Sequence, residues 1–177
     1  MPSERVTPRP RSAGILLYRR AENGAVRVLL GHPGGPYWAR KDAGAWMVPK
    51  GALEGQEEPL EAALREFGEE VGPVPPGTPV PLKTVRQNGG KLVEVFALQG
   101  EFDVSTLASN SFELEWPPRS GRMRSFPELD RVEWMELAEA RDRILPSQQP
   151  LIDALEALLA GSTSDQEQHQ PGEEQGC

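Results

Sequence analysis

Hydrophobic and polar residues alternate along several short segments of the chain, and this alternation predicts β-strands. Polar residues 21–24 separate the first two segments as a turn, and Asn88-Gly89-Gly90 separates two others as a strong hairpin signal. The predicted strands cover residues 13–18, 26–30, 46–48, 82–87, 92–98, 111–116 and 132–135.

The period of the pattern becomes helical between Pro59 and Val71. Apolar residues recur there along one face, and they are Leu60, Ala63, Leu64, Phe67 and Val71. Pro59 suits the first helical position, and Gly72 suits the position after the last. Gly68 inside this helix costs about 1 kcal/mol relative to alanine, so packing against the rest of the fold must support it.

Two further helices are predicted at 137–143 and 150–159, and segments rich in Gly and Pro predict loops at 32–45 and 73–81. Strands and helices alternate, but without a regular βαβ repeat. This order favours a mixed sheet with helices on both faces over a parallel barrel. The predicted fold class is α/β, with helices on both sides of a mixed β-sheet.

The length of 177 residues allows one domain of ordinary size. Residues 1–11 are basic and rich in Pro, and we predict a disordered arm there. Residues 161–177 are polar and acidic and contain no Lys or Arg, which predicts a disordered tail. The folded domain is therefore predicted to span residues 12–160.

The composition argues against several kinds of site. Cys177 is the only cysteine, so no disulfide can form within the chain and a Cys-based zinc site has too few ligands. His32 and His169 lie far apart in sequence, which argues against a Cys/His nucleophile. No apolar run approaches the roughly 18 residues of a membrane-spanning helix, and the basic start is not followed by the apolar stretch of a signal peptide. We therefore expect a cytoplasmic protein without a membrane partner.

The net charge of −8 argues against stable binding to nucleic acid, because Lys and Arg residues that neutralise phosphates supply most of that affinity. The acidic residues are concentrated in one segment. Seven glutamates and a single base, Arg65, lie between Gly51 and Gly72. This local excess is the strongest indication of chemistry in the sequence.

Glu66, Glu69 and Glu70 follow the i, i+3, i+4 spacing of the predicted helix and span an arc of about 100°. Carboxylates this close repel one another and raise each other's pKa. A divalent cation removes that conflict, and a site made only of oxygen ligands suits Mg²⁺ or Mn²⁺. Taken alone, the same glutamates also fit an ordinary solvated acidic face of a helix. The surrounding sequence is needed to distinguish this interpretation from a metal site.

That surrounding sequence contains Gly51-Ala-Leu-Glu-Gly-Gln-Glu57, then seven residues, then Arg65-Glu66-Phe67-Gly68-Glu69-Glu70-Val71-Gly72. The arrangement resembles the signature of the Nudix family, which fixes nine positions over 23 residues. The one departure is Pro73, which stands at the final apolar position, beyond the predicted helix. With the flanking strands, the resemblance covers roughly residues 12–160 and implies a Nudix-type α/β/α sandwich.

The resemblance also implies an activity and a cofactor. It implies a hydrolase that uses Mg²⁺ or Mn²⁺ to cleave a diphosphate linkage in a small phosphorylated substrate, such as a nucleoside triphosphate or a dinucleoside polyphosphate. Glu66, Glu69 and Glu70 match the metal-binding carboxylates of the family, and the carbonyl of Gly51 matches a backbone ligand.

Other positions match supporting and catalytic roles. Glu57 matches an outer-shell acid, and Arg65 matches the arginine that holds the loop and the glutamates through salt bridges. In the family, water attacks one phosphorus and a carboxylate receives its proton. That base is Glu66 or a glutamate from a later loop. Glu113 and Glu115 lie at a suitable distance downstream, and an ordinary strand edge is their alternative role.

Lys50 stands between Pro49 and Gly51, directly before the signature. Pro-Lys-Gly occupies this place in several Nudix groups that hydrolyse dinucleoside polyphosphates or inositol pyrophosphates, and its lysine faces phosphate. Lys50 therefore favours a substrate with several phosphates. Pairing with a glutamate of the signature is the alternative role of this lysine.

Two other sets of residues suit the binding of a nucleotide. Arg119, Arg122 and Arg124 lie in a predicted basic loop that can clamp phosphates, unless they are solvated or paired with surface acids. Tyr37 and Trp38 can stack on a base, or else they pack within their own loop. Both sets extend the predicted site beyond the acidic helix.

The sequence does not name one substrate. Markers of two Nudix subgroups are absent, since Asn88 replaces a proline of ADP-ribose hydrolases and Gly89-Gly90-Lys91 replaces a tyrosine of dinucleoside polyphosphate enzymes. Two other functions stay open. One is a catalytically silent regulatory module that binds nucleotide, and the other is a pyrophosphohydrolase of RNA 5′ ends. The oligomeric state stays open as well.

Overall fold

The computed structural model describes residues 11–167, so most of the predicted arm and the end of the predicted tail lie outside the described residues. Within them the chain forms eight strands, which are β1 Arg11–Arg20, β2 Val26–Pro33, β3 Lys50–Ala52, β4 Val80–Arg86, β5 Leu92–Gln99, β6 Ser111–Glu115, β7 Met123–Pro127 and β8 Leu129–Glu136. The same part contains three α-helices, which are α1 Pro59–Glu70, α2 Leu137–Arg143 and α3 Gln149–Glu167.

Six of the strands form one sheet in the order β4-β5-β1-β2-β8, with β3 also paired to β1. β1 and β5 run parallel, and the other pairs in this sheet are antiparallel. The predicted mixed sheet is therefore confirmed. β6 and β7 form a separate antiparallel hairpin outside the main sheet.

The central strand β1 positions the segment that carries the signature glycine. Ser12–Gly14 pair with β3, whereas Tyr18–Arg20 pair with β2. Gly14 has no side chain at the point where the carbonyl oxygen of Pro49 and the side chain of Lys50 pass. A larger residue there would push β3 away from β1, and the start of the acidic segment would move with it.

Apolar side chains cover both faces of the sheet. Ala13, Ile15 and Leu17 share a buried cluster with residues of α1. Leu16 and Tyr18 point to the opposite face and share a second cluster with residues of α2 and α3. Helices therefore pack on both sides, which confirms the predicted α/β/α sandwich. None of the helices in residues 11–167 combines the length and apolar character needed to cross a membrane.

Helix α1 begins at the predicted residue and ends one residue before the predicted end. Ala63 and Phe67 are fully buried, and Leu60 and Leu64 pack against the same cluster. The predicted apolar face is therefore confirmed. The glutamates of the signature are left on the remaining faces of the helix.

One predicted strand is wrong, and two observed strands are not predicted by the sequence. The predicted strand 46–48 is wrong, because Trp46 and Met47 form only isolated bridges and the strand proper, β3, starts after Pro49. The sequence does not predict β3, since its three residues become a strand only by pairing with β1. It does not predict β7 either, because most of that strand is exposed and shows no hydrophobic alternation.

Helix α3 extends past the predicted start of the tail at residue 161, and the domain limits stay a prediction. Helix α3 continues through Gly161 to Glu167, so residues 161–167 are helical, whereas residues 168–177 lie outside the described part. Leu151, Ile152 and Leu155 are fully buried and anchor the helix. Once such turns are formed, each further residue adds one hydrogen bond at little cost, so a polar composition alone does not end a helix.

Candidate active site

Arg65 joins the loop before α1 to the glutamates of the helix. Its Nε donates to Glu57 Oε1 at 2.9 Å, and its Nη2 donates to the carbonyl of Ala52 at 3.0 Å. Its Nη1 donates to Glu66 Oε1 at 2.9 Å and to Glu69 Oε2 at 3.2 Å. These bonds, led by the one to Glu57, raise the pKa of Arg65 above its ordinary value. The guanidinium thus fastens the loop to the helix.

Glu66 packs against the backbone of β3. A Cβ atom at Gly51 would overlap the carboxylate of Glu66, so only glycine leaves room for it. The Glu66 side chain is only 14% exposed. The carboxylate is therefore held beside the main chain of the signature glycine.

Glu70 lies next to this carboxylate. Burial, followed by the charge of Glu66, raises the pKa of Glu70 to about 8. The backbone N–H of Lys50 donates to Glu70 Oε2 at 3.3 Å and opposes that rise. At neutral pH the pair therefore holds a proton instead of a second negative charge.

Glu69 differs from its two neighbours. Its side chain is 42% exposed and is bound by Arg65. In the described part of the chain, no three acidic, histidine or cysteine side chains are gathered around one point as metal ligands. Arg65 binds Glu66 and Glu69 through the same nitrogen, so both carboxylates belong to its network, and the metal set of Glu66, Glu69 and Glu70 stays a prediction.

Glu128, between β7 and β8, joins the acidic group from a distant part of the sequence. Burial, followed by the charge of Glu66, raises the pKa of Glu128, and the charge of Lys50 lowers it. Its backbone N–H donates to the carbonyl of Asn110 at 2.7 Å, and the N–H of Asn110 donates to the carbonyl of Glu69 at 2.8 Å. Asn110 therefore ties Glu128 to the end of α1.

Sequence reasoning missed Glu128. It is a single glutamate after Pro127 and belongs to no acidic pattern. The only available signal is its position directly before the last strand, whose register with β2 brings it to the site. Such pairing across the chain is not readable from local periodicity.

Glu113 and Glu115, the predicted candidates for the downstream base, lie on the exposed face of β6. Glu113 is paired with Ser125 of β7, and Glu115 accepts from the N–H of Gly121 at 3.3 Å. Their side chains alternate with Phe112 and Leu114, which face the other way. The hairpin itself thus turns both carboxylates away from the side on which Glu128 lies.

Lys50 lies within the acidic group. Its pKa is lowered, first by burial and then by Lys91, while Glu70, Glu66 and Glu128 act in the opposite direction. Among residues 11–161, no ion pair within 4.0 Å is formed by its ammonium group. The predicted alternative, a close pair with a signature glutamate, is therefore not present.

This geometry agrees with a family match. The model of the NUDIX domain matches residues 8–155. The chain belongs to the Nudix family. The predicted family is therefore confirmed, and the acidic helix with its arginine lies within the matched residues.

Two relatives of this Nudix protein are named RNA pyrophosphohydrolase. The one from Gluconacetobacter diazotrophicus is 37% identical over 71 residues, which cover 37% of this chain and 38% of that protein. The one from Brucella anthropi is 29% identical over 130 residues, which cover 64% of this chain and 69% of that protein. The matched length is thus well under half of the first relative, and the names support a pyrophosphohydrolase without fixing its substrate.

A solved structure shares the fold. The crystal structure of a binary complex of a C. elegans Ap4A hydrolase has a TM-score of 0.60 and 24% identity, covering 85% of this chain and 98% of that chain. The fold of the Nudix domain is therefore confirmed over most of the chain.

The Nudix domain has a pocket beside its acidic group. It has a volume of about 210 Å³ and lies between segment 33–38 and strand β6. The side chains of Tyr37, Trp38, Phe112, Leu114 and Glu128 line it. The structure therefore brings the two predicted aromatic residues to a pocket that shares Glu128 with the acidic group.

Of the three predicted arginines, Arg119 and Arg122 lie in the loop between β6 and β7 as predicted, whereas Arg124 lies in strand β7. Arg119 lies in the connecting turn, with a positive φ of 62°. Arg124 lies in β7, where it is paired with Leu114, and its guanidinium lies 5.7 Å from the centroid of the Phe126 ring. Arg122 precedes β7, and all three side chains are exposed. The segment is rich in Pro, Ser and Gly and is therefore predicted as a loop. Its sequence does not indicate that the segments on either side pair as β6 and β7.

A buried histidine fixes the wall of the pocket. His32 is fully buried, and its Nε2 lies 2.7 Å from the carbonyl oxygen of Lys41. Its Nδ1 lies 2.9 Å from Asp130 Oδ1. The ring thus links the loop after β2 to the beginning of β8, directly after Glu128.

The residues present fit a divalent metal ion, which Nudix hydrolases generally use. Burial and the charge of Glu66 raise the pKa of Glu70, and the charge of Glu66 also contributes to the raised pKa of Glu128. Gly51 has no side chain, so the Glu66 carboxylate lies directly against its backbone. Oxygen donors of this kind suit Mg²⁺ or Mn²⁺.

Proposed function

We propose that the chain is a metal-dependent hydrolase that cleaves a diphosphate linkage in a nucleotide or nucleotide-like substrate. The observation that carries this proposal is the approach of Glu66, Glu70 and Glu128 to one another beside Lys50. Carboxylates whose pKa is raised by burial and by a neighbouring carboxylate are costly to a fold and are typical of functional sites. The family and the names of the relatives support the same activity.

In this proposal Glu66, Glu70 and the carbonyl of Gly51 hold the metal, with Glu69 completing the set once it leaves Arg65. Mg²⁺ or Mn²⁺, when bound, polarises the phosphoryl group and lowers the pKa of a bound water. Arg65 and Glu57 keep the loop and the helix aligned. Arg65 also holds Glu66 at the start of this set.

Glu128 is the proposed proton acceptor, with Glu66 as the alternative. A base works best when its pKa lies near the working pH, and burial with the charge of Glu66 moves the pKa of Glu128 in that direction. Lys50 supplies a positive charge to the phosphates at the same end of the site.

A screen of substrates tests the proposal. Nucleoside triphosphates, dinucleoside polyphosphates, ADP-ribose, inositol pyrophosphates and a 5′-triphosphorylated RNA oligonucleotide are incubated with the protein and Mg²⁺ or Mn²⁺. Hydrolysis of at least one diphosphate linkage, abolished by EDTA, is expected. Tight nucleotide binding without hydrolysis would instead support the regulatory module.

An RNA substrate is the second candidate. The names of the two relatives favour it, and the exposed arginines of the hairpin offer cations for a chain of phosphates. The net charge of −8 opposes it, because Lys and Arg residues that neutralise phosphates supply most of the affinity for nucleic acid. We therefore infer a small phosphorylated substrate, and the RNA oligonucleotide in the screen tests the alternative. The cytoplasmic location and the oligomeric state stay predictions outside this screen.

Lys50→Ala is expected to lower kcat/KM for a dinucleoside polyphosphate about ten- to a hundredfold more than for ADP-ribose. A charge-assisted contact contributes roughly 1.5–3 kcal/mol, and only the longer substrate places phosphates beyond the scissile bond. Steady-state kinetics with both substrates measure the difference, and Lys83→Ala on the exposed strand β4 is the matched control. Equal losses on both substrates would mean that Lys50 supports the loop.

The stability of the metal-free protein is expected to fall as the pH rises from about 5 to about 8. Glu70 has a folded-state pKa of about 8, above its ordinary 4.5, so unfolding releases a proton in this window and higher pH favours unfolding. Mn²⁺ should raise the Tm more at pH 9 than at pH 6, because at pH 6 it must displace that proton. Thermal unfolding with and without Mn²⁺ checks both trends. Equal gains at the two pH values would contradict the role of Glu70.

A further inference from the structure

We propose that the pocket between segment 33–38 and strand β6 binds the base of the substrate, so that the enzyme selects nucleosidic over non-nucleosidic diphosphates. This inference rests on the proposed function for the location of the diphosphate. It goes further by assigning the ring subsite to particular side chains.

The lining of the pocket has the chemistry of an aromatic-ring site. Tyr37, Trp38, Phe112 and Leu114 present rings and an aliphatic group, and Glu128 is the one charged residue that lines it among those described. Flat heterocycles stack on such surfaces with little regard to their substituents. A phosphorylated polyol ring would lose its hydration there without replacement hydrogen bonds. The lining therefore favours a base over an inositol ring.

The pocket is continuous with the proposed site of cleavage through Glu128. This residue lines the pocket and is also affected by the charges of Glu66 and Lys50. A ring in the pocket and a phosphate beside Lys50 would therefore both lie near Glu128. That arrangement suits the base and the phosphate chain of one nucleotide.

The size of the pocket limits what can enter. Its volume of about 210 Å³ is below the roughly 300–1,000 Å³ of pockets that enclose a whole drug-sized ligand. One ring system fits, and the sugar and phosphates must lie outside. A dinucleoside polyphosphate would place one of its two bases here.

The walls of the pocket are held in place before any ligand binds. The N–H of Gly34 donates to the carbonyl of Glu128 at 3.0 Å, and a side chain at Gly34 would overlap the carbonyl of Pro127. His32 fixes the same loop through Lys41. A preformed pocket needs little ordering on binding, so stacking contributes directly to affinity.

The hairpin adds a cation at the rim. Arg124 is paired across the strands with Leu114, so the two side chains share one face of the hairpin. The Arg124 guanidinium lies over Phe126, next to the cross-strand pair of Phe112 and Phe126. A positive charge is thus available where the sugar and phosphates leave the pocket.

Binding of AMP and of ribose 5-phosphate tests the proposal, since these two ligands differ only by the base. The indole N–H resonance of Trp38, assigned with Trp38→Phe, is followed by NMR in the full-length protein without metal. Millimolar AMP is expected to shift this resonance, whereas ribose 5-phosphate leaves it in place. Leu114→Asp should weaken the affinity for AMP, measured from this shift, at least tenfold. Ser111→Asp, which adds the same charge on the exposed face of β6, should keep it.

Two outcomes would overturn the subsite: equal shifts from both ligands, or no shift from AMP in the unaltered protein. Because the measurement needs no turnover, its failure differs from failure of the proposed function. A protein that shows the AMP shift but hydrolyses nothing keeps the subsite and loses the activity. In an active enzyme, the ratio of kcat/KM for ATP to that for inorganic tripolyphosphate should fall about ten- to a hundredfold in Leu114→Asp and less than about twofold in Ser111→Asp.

Discussion

Glu70→Gln is expected to lower kcat/KM at least about 100-fold while the fold stays intact. Glutamine keeps the size of the side chain and still accepts the bond from the N–H of Lys50, but it cannot supply the negative charge that holds a divalent metal. Metal-dependent stabilisation of a phosphoryl transition state is worth several kcal/mol, and about 1.4 kcal/mol corresponds to each tenfold loss. Steady-state kinetics in Mg²⁺ and Mn²⁺ measure the effect.

The control for this prediction lies on the same helix. Glu61 is exposed in the first turn of α1, so Glu61→Gln removes the same charge away from the site and should change kcat/KM by less than about twofold. Circular dichroism and the Tm establish that each variant is folded. The metal-free Tm of Glu70→Gln should equal or exceed that of the unaltered protein above pH 8, because the substitution removes a buried charge that repels Glu66. Unchanged turnover in Glu70→Gln would end the assignment of the metal site.

Glu128→Gln is expected to lower kcat by roughly 100- to 10,000-fold with little change in KM, which is the usual contribution of a general base. The loss falls on kcat because the proton is transferred in the transition state. Substrate binding does not involve that transfer, so KM changes little. Steady-state kinetics at saturating metal separate the two parameters. Excess metal also shows whether Glu128 acts as a ligand, since a weakened metal site would recover activity at high Mn²⁺.

Glu113→Gln and Glu115→Gln are the matched controls for Glu128. Both glutamates come from the segment in which the sequence predicts the base, and both lie on the outer face of the β6–β7 hairpin. We expect near-normal kcat for each of them. A large loss in Glu113→Gln or Glu115→Gln, with normal kcat in Glu128→Gln, would reverse the assignment drawn from the fold.

The sequence by itself determined the acidic helix. The start of α1, its buried face and the positions of Glu66, Glu69 and Glu70 all follow from local spacing, because helix geometry is repeated every 3.6 residues. The mixed sheet with helices on both faces also follows from the order of apolar segments. The family is recognisable from the signature for the same reason, since its residues are close together in the chain.

Only the tertiary structure decided what surrounds these carboxylates. Arg65 binds both Glu66 and Glu69 while it also binds Glu57 in the preceding loop. Glu128, from a distant part of the chain, comes within electrostatic reach of Glu66 and Lys50. It does so through the register of β8 on β2 and the bonds of Asn110 to both segments.

The pocket and the hairpin are tertiary features as well. Strand β7 has no hydrophobic alternation of its own, and it exists because β6 pairs with it. That pairing turns Leu114 toward Trp38 and turns Glu113 away from the pocket. Periodicity describes which face a residue takes within one element, whereas the site depends on which elements become neighbours. Contacts between segments that are distant in sequence determine which elements become neighbours, and no local sequence pattern predicts those contacts.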